Sequence, residues 1–358
     1  MRSRLLRLPV LFVVLCVLAL FAFVSDRLVP TLPVPPEHAP RAVVGMGDST
    51  MSGEGAGAYE PGTRGENGDW CHRSANALVH KVSIPAVSTA INLACSGATA
   101  EQVALGHVVN NTEGSQSSRL AEIATRYRVT AIVLAVGAND DPRFSDVVQR
   151  CVQDFLRRNG PGCAADIGRQ WQDRVSAMAP KVERALRDIR TVMRRAGYSD
   201  ASYALVLQSY AAPVSTDVAT GLQDLSGCPF LAADLRWVSG TAVRELASGL
   251  RTAAMRAGAR FLDLSRAGTG HEACSGGSVL SGEWFSRLSV DWQSLQDDQR
   301  VAHAMQESFH PNALGQAAFG RCLGEFLTGH QRTATCLSGR DGGLHAVADT
   351  QLQSGGTY

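Results

Sequence analysis

Lysine is almost missing from this chain of 358 residues: Lys81 and Lys181 are the only two among 34 basic side chains, the remainder being arginine. The skew fits a GC-rich genome. Acidic residues number 33, which leaves a formal net charge of +1, and no basic run follows Arg7. Phosphate backbones are bound by clustered excess cations, so no nucleic-acid partner is expected. The chain also lacks Cys-x-x-Cys pairs and cysteine–histidine ladders, which argues against a structural metal site. It has no Gly-x-Ser-x-Gly, so a catalytic serine would not sit on the strand–elbow–helix turn that this motif marks. No internal repeat occurs.

Cysteine, in contrast, is plentiful. Cys16 lies inside an apolar segment, and the other eight (Cys71, Cys95, Cys151, Cys163, Cys228, Cys274, Cys322 and Cys336) form an even set. An oxidised, exported protein with up to four disulfides is the expectation, although spacing alone leaves their connectivity open. The N-terminus agrees with export: Arg2, Arg4 and Arg7 precede an apolar stretch from Leu8 to Val24, closed by Ser25, Asp26 and Arg27. Residues 1–28 therefore read as a signal peptide, or as a signal-anchor holding the rest on the outer face of the cytoplasmic membrane. Both readings stay open. Residues 29–40 form a Pro-dense, extended linker, and a folded domain is expected over 41–336, with a flexible tail over 337–358.

Within that domain short apolar runs alternate with longer segments of helical period. Ala42 to Met46, Ala90 to Ala94, Thr130 to Val136, Tyr203 to Leu207 and Arg260 to Leu264 have the continuous apolar character of strands buried on both faces of a parallel sheet. Trp171 to Ala196 and Thr241 to Ala257 repeat apolar residues at three and four, as amphipathic helices do. The expected architecture is a three-layer α/β/α fold around a central parallel sheet, with chemistry at the loops that leave the carboxyl ends of the strands.

Those loops carry the informative residues. Gly47-Asp48-Ser49 follows the first strand, Cys95-Ser96-Gly97 the second, Gly137-Ala138-Asn139 the third, and Glu307-Ser308-Phe309-His310-Pro311 opens the last helix. A dinucleotide fingerprint in Gly53-Glu54-Gly55-Ala56-Gly57-Ala58 is set aside, because Tyr59-Glu60-Pro61-Gly62 breaks the helix that it needs. Gly53 to Gly68 is instead expected to form a flexible rim. A serine, a glycine amide, an asparagine amide and a histidine at strand-end loops are the parts of an acyl-transfer site. In this order they resemble the SGNH hydrolases, also called GDSL esterases and lipases, over about Arg41 to Leu327.

The resemblance implies the flavodoxin-like SGNH fold, with Ser49 as nucleophile and His310 as general base. It implies an oxyanion hole made by the Ser49 and Gly97 amides with the Asn139 side chain. The family usually has aspartate three residues before the histidine. Here Glu307 takes that position, either as third catalytic member or replaced by a backbone carbonyl that leaves a serine–histidine dyad. His72 and His303 read as structural, and Asp48 and Asp140 as acceptors of loop N–H groups. Cys71 with Cys95, Cys151 with Cys163 and Cys228 with Cys274 look like the three-disulfide arrangement of secreted actinobacterial members, and Cys322 with Cys336 would tie the last helix to the tail. The implied function is an exported serine esterase or lipase acting on small-molecule or lipid esters through an acyl-enzyme, as a monomer and without metal or organic cofactor. A carbohydrate O-deacetylase and a catalytically idle binding domain are the alternatives.

Overall fold

A computed structural model of the protein describes residues 12–19, 33–157, 160–276, 282–292, 294–296, 300 and 303–353. The chain divides after Val34. Of the apolar N-terminal segment, residues 12–19 form a helix with exposed side chains, and the rest lies outside the described residues. Among the described residues no helix is long and apolar enough to cross a membrane.

From Arg41 onward strands and helices alternate. β1 (Arg41–Gly47) leads into the short α1 (Ser49–Ser52), then β2 (Thr89–Asn92), α2 (Ala100–Val103), α3 (Gln116–Arg126) and β3 (Arg128–Ala135). α4 (Phe144–Arg157), α5 (Cys163–Arg195), β4 (Ala204–Gln208), α6 (Ala232–Trp237), α7 (Val243–Arg256) and β5 (Arg260–Asp263) follow. α8 (Ala313–Thr328), β6 (Thr333–Ser338), β7 (Leu344–Ala348) and α9 (Asp349–Gln353) end the described chain. The seven strands form one sheet in the order β2-β1-β3-β4-β5-β6-β7, parallel except for β7.

Burial explains the strands. Every residue of β1 after Arg41 is buried, as is most of β3, because helices cover the sheet on both faces. α5 turns Trp171, Val175, Met178, Val182, Leu186, Ile189 and Met193 inward, the spacing of a helix that buries one stripe. It begins at Cys163, before the apolar repeat starts at Trp171, and of its first two turns only Cys163 is buried. Four disulfides staple the crossovers: Cys71–Cys95, Cys151–Cys163, Cys228–Cys274 and Cys322–Cys336.

The C-terminal stretch corrects the expectation of a flexible tail from residue 337. β6 and β7 form a hairpin across Gly339–Gly343 that extends the sheet, with Ala334, Cys336, Leu344 and Val347 buried. Its turn carries Asp341-Gly342, a common hairpin signal, with Gly342 at φ 78°. Asp349, just past β7, pairs with Arg251 of α7, and the Cys322–Cys336 bridge fixes β6 to α8.

Strand order reverses at β1, which has β2 on one side and β3 on the other. Open parallel sheets place ligands in the crevice outside such a reversal. Here the chain turns tightly. Gly47 adopts φ 124°, and a Cβ on it would lie 1.8 Å from the Ala135 carbonyl oxygen of β3. Both peptide groups of Gly47 are held by the buried Gln116 side chain, at 2.7 Å and 2.8 Å. Replacing Gly47 by alanine should therefore cost about 3 kcal/mol or more of stability, read from urea unfolding midpoints. An unchanged midpoint would contradict this packing of β1 on β3.

Candidate active site

Asp48 caps α1, accepting from the Thr50 amide at 3.1 Å, and so aims the first turn of that helix out of the sheet with Ser49 at its start. The far end of α1 is also fixed. Asn92 donates to the Met51 and Ser52 carbonyls, and the fully buried Gln316 of α8 donates to the Thr50 carbonyl at 3.0 Å. With Gln116 on Gly47, three long-range side-chain amides hold the turn that presents Ser49.

The segment before α8 closes on this turn. His310 Nε2 lies 2.8 Å from Ser49 Oγ, across 261 residues of sequence. Its other ring nitrogen, Nδ1, lies 3.2 Å from the Ser308 carbonyl oxygen. With the Nδ1 proton given to that carbonyl, Nε2 is left to accept from the serine hydroxyl. Burial holds His310 below the ordinary imidazole value, opposed by the negative charge of Glu54 and by the neighbouring carbonyls. The free base is therefore the resting form at neutral pH.

Glu307 does not fill the place that its spacing assigned to it. Its carboxylate lies beside Arg64, 3.8 Å distant, and Tyr59. Phe309, between them in sequence, has φ 59°. The Ser308 carbonyl, not the Glu307 carboxylate, is the hydrogen-bond neighbour of Nδ1.

Gly97 and Asn139 reach the same cavity as Ser49 and His310. The Ser49 amide is the first of α1 and has no partner within that helix, and Gly97, at φ 77°, has open space on its Cα. Asn139 donates to the Ala98 carbonyl at 3.2 Å, which leaves its second amide hydrogen for a ligand. The Cys71–Cys95 bridge and the bond from Ser96 N to the Cys71 carbonyl, 3.1 Å, anchor the loop that carries Gly97.

The carboxyls beside these residues are structural. Asp48 also accepts from the Tyr210 hydroxyl, and burial raises it to about 7 against these hydrogen bonds. Asp140 accepts from the Ala100 amide at 3.0 Å and is raised by burial to about 6. His303 stacks on Trp70 with ring centroids 3.9 Å apart. His72 is buried and lies 2.6 Å from Glu54.

Glu54 is the residue whose importance the sequence disguised. The stretch that begins at Gly53 is not a flexible rim at its start: Gly53, Glu54 and Ala56 are buried, and Glu54 has no solvent exposure at all. A single carboxylate in a run of glycine and alanine was the available signal. Glu54, His72 and Glu307 bring donor atoms within 4.8 Å of one another, the closest approach to a metal-type cluster near the site. However, Glu54 is committed to His72, Ser96 and Gln306, and Arg64 stands beside Glu307, so a cation would compete with every one of these contacts.

Residues 46–318 match the model of the GDSL-like Lipase/Acylhydrolase family. The chain belongs to that family. Among solved structures, this GDSL-family chain is similar to phospholipase A1 from Streptomyces albidoflavus NA297, with 22% identity and a TM-score of 0.53 over 78% of this chain and 95% of that one. It is also similar to an extracellular lipase from Streptomyces rimosus, with 19% identity and a TM-score of 0.50 over 77% and 95%. At these identities the likeness shows the fold. No curated protein matches the chain.

If the geometry is that of a Ser49–His310 dyad, Ser49→Ala and His310→Ala should abolish hydrolysis of a nitrophenyl ester, whereas Glu307→Ala should leave measurable turnover. Comparable losses for all three would contradict the dyad.

Proposed function

We propose that this GDSL-family hydrolase is an exported serine esterase or lipase that cleaves carboxylic esters with an acyl chain longer than acetyl. The observation that carries this proposal is the cavity at Ser49. It has a volume of about 460 Å³ and is lined on its apolar side by Phe144, Val148, Val152, Leu246, Leu264 and Phe285. A dry cavity of about 150 Å³ already holds a benzene-sized group, so this one has room for a chain of several carbons. Export is supported by the four disulfides and by the basic and apolar N-terminal segment.

In the proposed mechanism the acyl chain lies against the apolar wall and the ester carbonyl meets Ser49. Ser49 Oγ attacks the carbonyl carbon as His310 Nε2 takes its proton. The charge that develops on the carbonyl oxygen is received by the Ser49 and Gly97 amides and the free hydrogen of Asn139, each such donor being worth roughly 3 kcal/mol of barrier. The Ser308 carbonyl keeps the ring oriented while Nδ1 retains its hydrogen. Collapse of the tetrahedral adduct breaks the bond to the alcohol, which leaves with the proton from His310. Water, deprotonated by the same imidazole, then releases the acid from the acyl-enzyme.

A chain-length series of nitrophenyl esters, run beside acetylated sugars, tests the proposal. Medium acyl chains should give the highest kcat/KM. Turnover confined to acetylated sugars would instead make the protein a deacetylase.

A further inference from the structure

The Glu54 carboxylate is fully buried, yet the mechanism above gives it no role. Four segments of the site meet on it. Its own stretch continues from the nucleophile turn. Its Oε1 lies 2.6 Å from His72 Nδ1, and its Oε2 accepts from Ser96 Oγ at 2.7 Å and from Gln306 Nε2 at 2.8 Å. Ser96 precedes Gly97, and Gln306 belongs to the segment that ends in His310. The next residue, Gly55, packs directly on the base: a Cβ there would lie 3.0 Å from His310 Cβ. Burying a carboxylate is costly unless it is hydrogen-bonded and paired, so a charge in this position has to be held by several partners, as this one is.

We propose that Glu54 is a positioning residue for ester hydrolysis: it registers the Gly97 and His310 loops on the nucleophile turn and supplies the buried counter-charge for the imidazolium that forms when His310 takes the Ser49 proton. In this family chain the imidazole has only a neutral carbonyl at Nδ1, because Glu307 points elsewhere. Among the described residues the buried carboxylate whose charge acts on the ring is Glu54. Burial works against its ionisation, but the hydrogen bond from His72 and the charges of His72 and His310 hold it below the ordinary glutamate value, so it is anionic through the neutral range. Other titratable groups around His310 are fewer or turned away. His72 faces it from the segment after Trp70; Asp48 and Tyr210 bond to each other beside Ser49; His303 and Glu307, from its own segment, are engaged by Trp70 and Arg64.

The inference rests on Ser49 and His310 acting as nucleophile and base, and its test separates the two. Glu54→Gln keeps the shape and the acceptor for His72 while removing the charge; Ser96 and Gln306 can reorient to meet the new amide. With a nitrophenyl ester, kcat should fall about tenfold, the worth of about one pH unit of His310 basicity, with KM little changed. The sign of the pH effect follows. Glu54 favours the protonated ring, so its loss lowers the pKa of His310, and the acid limb of kcat/KM should move to lower pH. Glu54→Asp, which restores the charge, should return that limb towards its original position. Gln306→Ala, at a half-buried side chain, removes only the tether and should lower kcat without moving the limb. An unchanged kcat and limb in Glu54→Gln would overturn the proposal, as would loss of activity with the limb unmoved. Should Glu54→Gln fail to fold, unchanged kcat in Gln306→Ala overturns it alone. Wild-type turnover that survives Ser49→Ala would count against the underlying serine mechanism instead.

Discussion

The 2.8 Å contact between Ser49 Oγ and His310 Nε2 joins a turn near the start of the domain to a loop near its end, and most of the structure serves to keep those two points together. Neither residue sits on a rigid element of any length. Ser49 opens a helix of four residues, and His310 precedes α8 in a loop. Precision comes from buried amides that reach across the fold. Gln116 grips both peptide groups of Gly47, Asn92 holds the far end of α1, and Gln316 links Thr50 to the Leu78 amide. Each is a polar side chain that would be costly to bury unpaired, so each specifies one arrangement of backbone around Ser49.

Charge is handled by the same economy of contacts. The site contains an imidazole whose neutral form is favoured by burial, and the neighbour of its Nδ1 is a carbonyl, a dipole instead of an ion. Such an arrangement favours unprotonated His310, and under the proposed mechanism it gives little support to the cation formed in turnover. In the proposed role Glu54 supplies a negative charge without meeting the ring directly. The same carboxylate also meets Ser96, so support of the base and placement of the Gly97 amide share one anchor.

Much of this was legible in the sequence because it depends on local patterns. Continuous apolar runs such as Thr130–Val136 fixed the buried strands, the repeat from Trp171 fixed α5, and the four loop motifs lay at strand ends where a parallel sheet exposes its chemistry. What was not legible depends on side-chain direction or long-range pairing. The family resemblance left Glu307 and a backbone carbonyl both open as the partner of His310, and only the folded loop brings the Ser308 carbonyl to Nδ1 and Glu307 beside Arg64. Glu54 looked like part of a glycine-rich rim because nothing local announces that His72, Ser96 and Gln306 converge on it. The C-terminal hairpin was not legible for a related reason: its strands are short, Thr333, Thr335 and His345 interrupt their apolar residues, and the burial of Leu344 and Val347 comes only with the folded sheet.

The central claim is that Ser49, activated by His310, forms a covalent bond with the acyl carbon. Labelling with a fluorophosphonate, followed by peptide mass spectrometry, tests it directly. One phosphonyl adduct on Ser49 is expected, formed far more slowly in His310→Ala and absent from Ser49→Ala. An unlabelled protein that still hydrolyses esters, or an adduct on another residue, would contradict the account.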